Sequence, residues 1–381
     1  MTYIFDAVRT PRGKGKPEGA LAAMKPDELV ATLVTALQQR VPTATPPDAL
    51  ILGCVGQIGA QGSNIALVSK FRSELPDATA SFSINNFCTS GLTAINQGAA
   101  LIAANQATTV LAGGVEMMSR VGFMADKASY YSDTSLPLRT RYLLVALAAD
   151  RLADDLNITR QELDHLALLS QQRTQAAEGT ALVASRIAVN GYNAEECLRV
   201  GNLASLAALE PAFAELGAAH IEQLGRPIDH RHTIAHAPGI CDGAALALIG
   251  QRDAIDAPPR ARIVASADVG GDPEQSLTAG FAAMELALQR AGLTLADMDR
   301  IEFMESFAVT MAKFIRDYQP NLDKVNVSGG HLAKGHPLGA SGAILLSTLL
   351  DTLDVAKGRF GLVVATGASG TGSAMIVERM E

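Results

Sequence analysis

A cysteine and a histidine on opposite halves of this chain stand in segments suited to nucleophilic chemistry. Cys88 lies in Asn85-Asn86-Phe87-Cys88-Thr89-Ser90-Gly91-Leu92, just ahead of a run of small residues that reads as a helix. His336 lies in Gly329-Gly330-His331-Leu332-Ala333-Lys334-Gly335-His336-Pro337-Leu338-Gly339-Ala340-Ser341-Gly342, ahead of a similar helix start. The thiolate, not the thiol, is the nucleophile, so a reacting cysteine needs a base and an electropositive seat. A helix N-terminus supplies such a seat. Taken alone, Cys88 is more readily a core thiol, because free cysteine is among the most buried residues.

The elements that must bring the two segments together alternate in type. Apolar strand-like runs (Ala49 to Gly53, Thr109 to Gly113) flank Ala-rich helical runs such as Leu92 to Asn105. Strands of this kind are buried on both faces, which places the chain in the α/β class. The order then repeats. The first half shows a strand from Leu50 to Cys54, a short strand ending at Cys88, a helix from Ser90 and a strand into Gly113-Gly114. The second half shows a strand from Arg300 to Glu305 and a short strand near Val325-Asn326-Val327. The Gly335-His336 loop follows, then a helix from Ser341 and a strand through Gly361 to Ala365. A duplicated unit is expected, with a site between its halves fed by both helix starts. Residues from Met118 to His232 break the pattern and read as an inserted lid. The strand from Gly243 to Ile249 returns to the first half.

The whole sequence narrows the classes. With 381 residues, two or three domains are expected. The chain is 48% hydrophobic and 18% charged, with no Trp, which suits a large aliphatic core and further burial in an oligomer. Net charge is −8 and the one basic stretch, Arg12-Gly13-Lys14-Gly15-Lys16, is short, so no nucleic-acid partner is expected. Cysteines 54, 88, 197 and 241 show neither CxxC nor zinc spacing, so no metal site and no disulfide framework are expected. The chain opens on Met1-Thr2-Tyr3-Ile4-Phe5-Asp6 as a strand, without a leader-like segment. No apolar run of membrane-spanning length is expected. The setting expected is reducing and cytoplasmic.

Four segments in order carry a resemblance to a known family. They are Ala7-Val8-Arg9-Thr10-Pro11-Arg12-Gly13, Phe87-Cys88-Thr89-Ser90-Gly91-Leu92, Gly113-Gly114-Val115-Glu116-Met117-Met118-Ser119-Arg120 and Gly335-His336-Pro337. Over essentially its whole length the chain resembles the thiolase family, enzymes that make or cleave 3-ketoacyl-CoA. Its pattern is similar to the acetyl-CoA acyltransferase and acetyl-CoA acetyltransferase members. The resemblance implies two βαβαβ-type halves stacked as a five-layered αβαβα core with an inserted loop domain. Residues 1–117 plus 233–260 would form the N-terminal half, 118–232 the inserted loop domain and 261–381 the C-terminal half. It implies Cys88 as nucleophile, His336 as base, and an oxyanion hole from the amides of Cys88 and the loop around Ala368. It also implies coenzyme A as a substrate with no permanently bound cofactor. The expected partners are an acyl-CoA or related thioester, a second or further copies in a homodimer or homotetramer, and a β-oxidation enzyme. The strand and loop after the Cys88 helix would form the subunit interface.

Three positions depart from the family pattern. Thr366 stands where a second, acid/base cysteine is usual, and a threonine hydroxyl is far too weak an acid to replace it. The Asn-Glu-Ala-Phe segment reads Met304-Glu305-Ser306-Phe307, so the residue that holds an oxyanion water is Met304, which cannot do so. Ser306 occupies the place where a related branch carries its second cysteine. In Thr233-Ile234-Ala235-His236-Ala237-Pro238-Gly239, His236 and Pro238 replace usual coenzyme contacts, and His236 enters as a site-lining candidate beside Ala368 and Glu305. Acylation machinery is thus expected to persist while carbon–carbon chemistry is impaired. Three readings stay open: an acyl-CoA acyltransferase whose acceptor is CoA, a carbon nucleophile or water; a non-catalytic, structural subunit of a multienzyme complex; and a decarboxylative condensing enzyme.

Overall fold

The computed structural model describes residues 1–42 and 45–380. A first half-sheet holds β1 (Tyr3–Arg9), β3 (Ala49–Gly53), β4 (Ala80–Ile84), β5 (Thr109–Met117) and β6 (Cys241–Gly250), with β2 (Gly13–Lys14) beside β6. A second holds β7 (Ala261–Gly270), β8 (Arg300–Phe303), β9 (Phe360–Thr366) and β10 (Thr371–Arg379). The strand order is β4-β3-β5-β6-β1-β7-β10-β9-β8. β1 and β7 join the halves through Tyr3 with Arg262 and Ile4 with Ala261.

Duplication is written in this order. In each half the first strand lies beside the last, and the parallel pairs, β3 with β4 and β5 and β8 with β9, lie at the far edge. The second half lacks a partner for β4. The expected strand at Val325–Val327 is instead a 3₁₀ turn (Leu322–Lys324) and one parallel bridge, Ile301 with Val325. Asn326 explains the failure. It holds φ +44° and spends its side chain on the backbone of Phe303, accepting from the amide at 2.8 Å and donating to the carbonyl at 2.9 Å. Side-chain bonds of this kind replace the ladder a strand would need.

Alternation along the strands makes the layers. On β5, Val110 and Ala112 face one core, while Leu111, Val115 and Met117 face another. On β9, Val363 and Ala365 face the first core, and Leu362 and Val364 face a third. The first core is central. It holds α3 (Ser90–Ala103) and α12 (Ser341–Ala356) between the half-sheets. α1 (Pro26–Arg40) and α2 (Ile65–Arg72) cover the outer face of the first half. α9 (Ala279–Ala291) and α10 (Ala308–Tyr318) cover that of the second. Five layers result. Between β5 and β6 the chain forms α4 (Val145–Asp155), α5 (Arg160–Ala177), α6 (Leu203–Ala207), α7 (Ala214–Ala219) and α8 (Ile221–Leu224). A one-turn helix, α11 (His331–Lys334), precedes α12.

Two expectations need correction here. One stretch, Leu338–Ala356, is long and apolar enough to cross a membrane by length and composition, with 89% of its window buried inside the protein. A middle-layer helix meets a sheet on either side, so it must be apolar all round. The strand after the Cys88 helix is β5, which is buried throughout and paired on both edges, so of the expected strand-and-loop interface the strand has no edge free to pair with another copy. The free edge of the first half is β4, where Phe82 is 49% exposed.

Candidate active site

Both central helices start at one place because two glycines let them touch. A β-carbon on Gly91 would stand 2.6 Å from the Gly339 carbonyl oxygen, and one on Gly342 would stand 2.6 Å from the Leu92 β-carbon. Any larger residue would push the helix starts apart. Cys88 lies just ahead of α3, in a turn where Phe87 takes φ +48°. A non-glycine residue in that region costs about 1–3 kcal/mol and persists only when its surroundings over-determine it. Here the Ser90 hydroxyl accepts from the Asn86 amide at 2.8 Å and donates to the Phe87 carbonyl, closing the turn.

Cys88 and His336 line one apolar cavity of about 270 Å³, together with Tyr142, Ser306 and Ala368. The loop that carries Ala368 abuts Cys88, for a β-carbon on Gly367 would stand 3.2 Å from the Cys88 amide nitrogen, and the amides of Ala368 and Cys88 favour the thiolate. They hold the thiol down, but burial outweighs them, with Glu116 adding to it, and pushes its pKa up to about 12. Burial thus opposes the expected helix-end thiolate.

His336 is buried and its pKa is pressed down to about 3, chiefly by burial and then by the Arg12 charge. It is a neutral imidazole. Its Nδ1 lies 2.7 Å from the Ser341 hydroxyl at the start of α12, and its Nε2 has no hydrogen-bond partner. With Nδ1–H donated to Ser341, Nε2 is left as a lone-pair acceptor at the cavity. A thiol, a neutral base and two nearby amides suit acyl transfer. In such a transfer a base so placed would take the thiol proton as the sulfur attacks, and the amides would face the developing oxyanion. His331 packs edge-on against His336 at 5.2 Å between ring centres and has neither ring nitrogen bonded.

The other sequence candidates scatter. Glu305 does not line the cavity. Its carboxylate accepts from Ser170 Oγ at 2.8 Å, the Leu332 amide at 3.0 Å and Asn326 Nδ2 at 3.2 Å, tying α11 to α5. His236 does not line it either. Its Nδ1 accepts from the Thr233 amide at 3.0 Å and its Nε2 donates to Asp164 at 2.8 Å, so both nitrogens are satisfied within the fold. Met304 is buried in the central core. Thr366 is buried with an unpartnered hydroxyl, and the cavity-lining Ser306 donates to the Thr366 carbonyl at 3.2 Å. Of the eight candidates the cavity gathers four: Cys88, His336, Ser306 and Ala368.

Sequence reading missed Glu116. This buried carboxylate accepts from the amides of Val55, Gly56 and Gly339 and from Gln61 Nε2, at 2.7 to 3.0 Å. It bolts the loop after β3 to the approach of α12. Its place in the Gly113–Arg120 segment was the available signal, for a buried acid inside an apolar strand must have partners. Tyr142, from the approach to α4, was missed because nothing in the sequence ties that irregular stretch to Cys88. Among the described residues no group of three His, Cys, Asp or Glu is placed to hold a metal ion.

A duplicated five-layer α/β core with a cysteine, a histidine and backbone amides at its central helix starts defines an acyl-transfer enzyme. Residues 2–253 match the family described as Thiolase, N-terminal domain, and residues 257–379 match Thiolase, C-terminal domain. The chain belongs to the thiolase family, whose members are acyltransferases. It is 34% identical to a 3-ketoacyl-CoA thiolase of Yersinia pestis (strain Pestoides F) over 99% of each chain. It is equally 34% identical to a Beta-ketoadipyl-CoA thiolase of Acinetobacter baylyi, again over 99% of each. The crystal structure of human mitochondrial 3-ketoacyl-CoA thiolase superposes with a TM-score of 0.87 at 28% identity, covering 100% of this chain and 99% of that one.

Proposed function

We propose that the protein accepts an acyl group onto Cys88 with His336 as base, either from an acyl-CoA thioester, with coenzyme A leaving as the thiol, or from a 3-ketoacyl-CoA, with the carbon–carbon bond breaking and acetyl-CoA leaving. The observation that carries this is that Cys88, His336 and Ala368 line one apolar cavity, in which His336 keeps an unpartnered Nε2. Apolar walls exclude water and strengthen both the amide–oxyanion contacts and the proton transfer. The names of the relatives support a coenzyme A thioester as substrate.

The carbon–carbon step is the impaired one in this reading. The Thr366 hydroxyl is buried without a proton partner, and Met304 offers only a core side chain. Loss of one oxyanion donor costs about 10²–10³ in rate, and loss of the acid/base group costs about 10²–10⁴ more. The acceptor of the acyl group is then another nucleophile that needs no deprotonation at carbon. Exposure to acetyl-CoA, followed by intact mass and peptide mapping, tests the assignment. One acetyl group on Cys88, absent from Cys88→Ala, is expected. An unmodified Cys88 after prolonged exposure sinks the assignment and favours the structural-subunit reading.

The same reading includes assembly and setting. A homo-oligomer closing over the free β4 edge is supported by exposed Phe71 and Phe82 on α2 and β4. A cytoplasmic, reducing setting is supported by four free thiols.

A further inference from the structure

Two thiols that the acyl-transfer reading leaves unused meet behind the catalytic loop. Cys197 comes from the segment between β5 and β6, and Cys241 opens β6. Their sulfurs are close enough to influence each other's titration. Both press on Gly335, the residue before His336. A β-carbon there would stand 2.8 Å from the Cys241 sulfur and 3.1 Å from the Cys197 sulfur. Gly335 holds φ +94°, and the His336 amide donates to the Gly239 carbonyl at 2.9 Å, two residues before Cys241. The thiol pair and the base thus share one loop.

The two sulfurs differ. Cys241 is fully buried, whereas Cys197 is partly exposed on a cavity of about 360 Å³ that Lys14, Lys16 and Arg199 also line. The neighbouring Cys241 holds the Cys197 thiol below its ordinary range, with Arg12 assisting, while burial pushes Cys241 well up. A partly exposed thiol beside a buried resolving thiol, both against one glycine, is the arrangement of a redox-sensitive pair.

We propose that Cys197 and Cys241 form an oxidation site for peroxides, and that its disulfide slows acyl transfer by moving the loop that carries His336. The effect on rate rests on the acyl-transfer reading; the disulfide does not. The Cys197 thiolate attacks a peroxide oxygen, the O–O bond breaks, and the departing oxygen takes a proton and leaves as water or an alcohol. The Cys241 sulfur then attacks the sulfenic sulfur, the S–O bond breaks, and hydroxide leaves with the Cys241 proton as water. Two thiols lose two electrons and two protons, and the peroxide is reduced. A dithiol reverses the change by exchange. Closing the pair to the ~2.05 Å of a disulfide draws both sulfurs away from their present seats against Gly335.

Reduced protein treated with hydrogen peroxide and mapped without reductant should yield a linked Cys197–Cys241 peptide. Acetylation of Cys88 by acetyl-CoA should slow by roughly 10- to 100-fold, the range for a misplaced reacting group, and recover with dithiothreitol. Cys197→Ser should acetylate at the untreated rate and resist the reversible slowing. Any slowing left in it reports oxidation of Cys88 itself. Free thiols at 197 and 241 after treatment, an unchanged acetylation rate in the linked protein, or equal slowing in Cys197→Ser would each overturn the proposal. Reduced protein that never acetylates Cys88 fails the acyl-transfer reading instead, while the peptide map still decides the disulfide.

Discussion

At Cys88 burial and backbone dipoles oppose each other, and burial wins. A thiol whose pKa is pushed to about 12 reacts only when its proton has somewhere to go. Iodoacetamide should therefore label Cys88 slowly at neutral pH, behind Cys197, and faster as pH rises. Rapid neutral labelling of Cys88, read by peptide mapping, would show a preformed thiolate and contradict this. His336 sets the other limit. Its folded pKa is depressed from 6.5 to about 3, so the unfolded chain gains a proton in that window that the folded one refuses. Stability falls as pH drops through the window. The base itself stays unprotonated, so the acid limb of Cys88 acetylation should lie well below 6.5. Thr366→Cys with Met304→Asn should raise thiolysis of acetoacetyl-CoA non-additively, since both serve one transition state. Met304→Asn places an amide in the central core, so a stability loss of about 1–3 kcal/mol accompanies it. Wild-type thiolysis at tens per second, an ordinary enzyme rate, would defeat the impairment idea.

α3 and α12 are held by contact at their first turns. Gly91→Ala and Gly342→Ala each drive a methyl group into backbone or a leucine at 2.6 Å. Overpacking of this kind costs about 1–3 kcal/mol. Acetylation of Cys88 should suffer as well, because the same turns seat Cys88 and Ser341. A thermal melt and an acetylation rate read the two effects separately. An unchanged melting temperature in both variants would show that the helix starts can part freely. How much of this was legible beforehand differs by element. The paired Ser-Gly helix starts announced α3, α12 and the duplication, since small residues at equivalent places have few other uses. The Val325 strand was misread because its alternating apolar residues gave no sign that Asn326 would satisfy the backbone of Phe303 instead.

Across the whole molecule, Glu195 ties the segment between β5 and β6 to the loop after β1. It sits 2.8 Å from Arg9 and 3.6 Å from Arg12 and Arg186, with no exposed side-chain surface. Burial opposes its charge, but Arg9, Arg12, Lys334 and Arg186 hold its pKa down to about 2. A depressed carboxylate stabilises fully above its unfolded value of 4.5, and that contribution is lost as pH falls toward 2. Glu195→Gln strands buried arginines, so a loss of about 3–5 kcal/mol is expected by denaturant titration. A loss under 1 kcal/mol would mean that water reaches those arginines. Light scattering at micromolar protein should return a multiple of the chain mass, and Phe82→Lys on the β4 edge should reduce it. A monomer in the wild type removes the assembly proposal.

Composition and alternation were enough to read an α/β duplication, and the resemblance of its motifs to the thiolase family is what put Cys88 and His336 forward as nucleophile and base. Those features are local: a helix start, a β period and a loop rich in small residues depend on neighbours in sequence. Which other side chains reach the cavity was settled only in three dimensions. Glu305 and His236 are polar residues beside the motifs, yet each finds its hydrogen bonds in α5 or the loop before α12 and turns away from the cavity. Cys197 and Cys241 are far apart in sequence and meet only because the segment before β6 folds back over Gly335. Whether Cys88 is charged was likewise beyond any motif, because a helix N-terminus can be read from sequence while the depth of protein around a sulfur atom cannot.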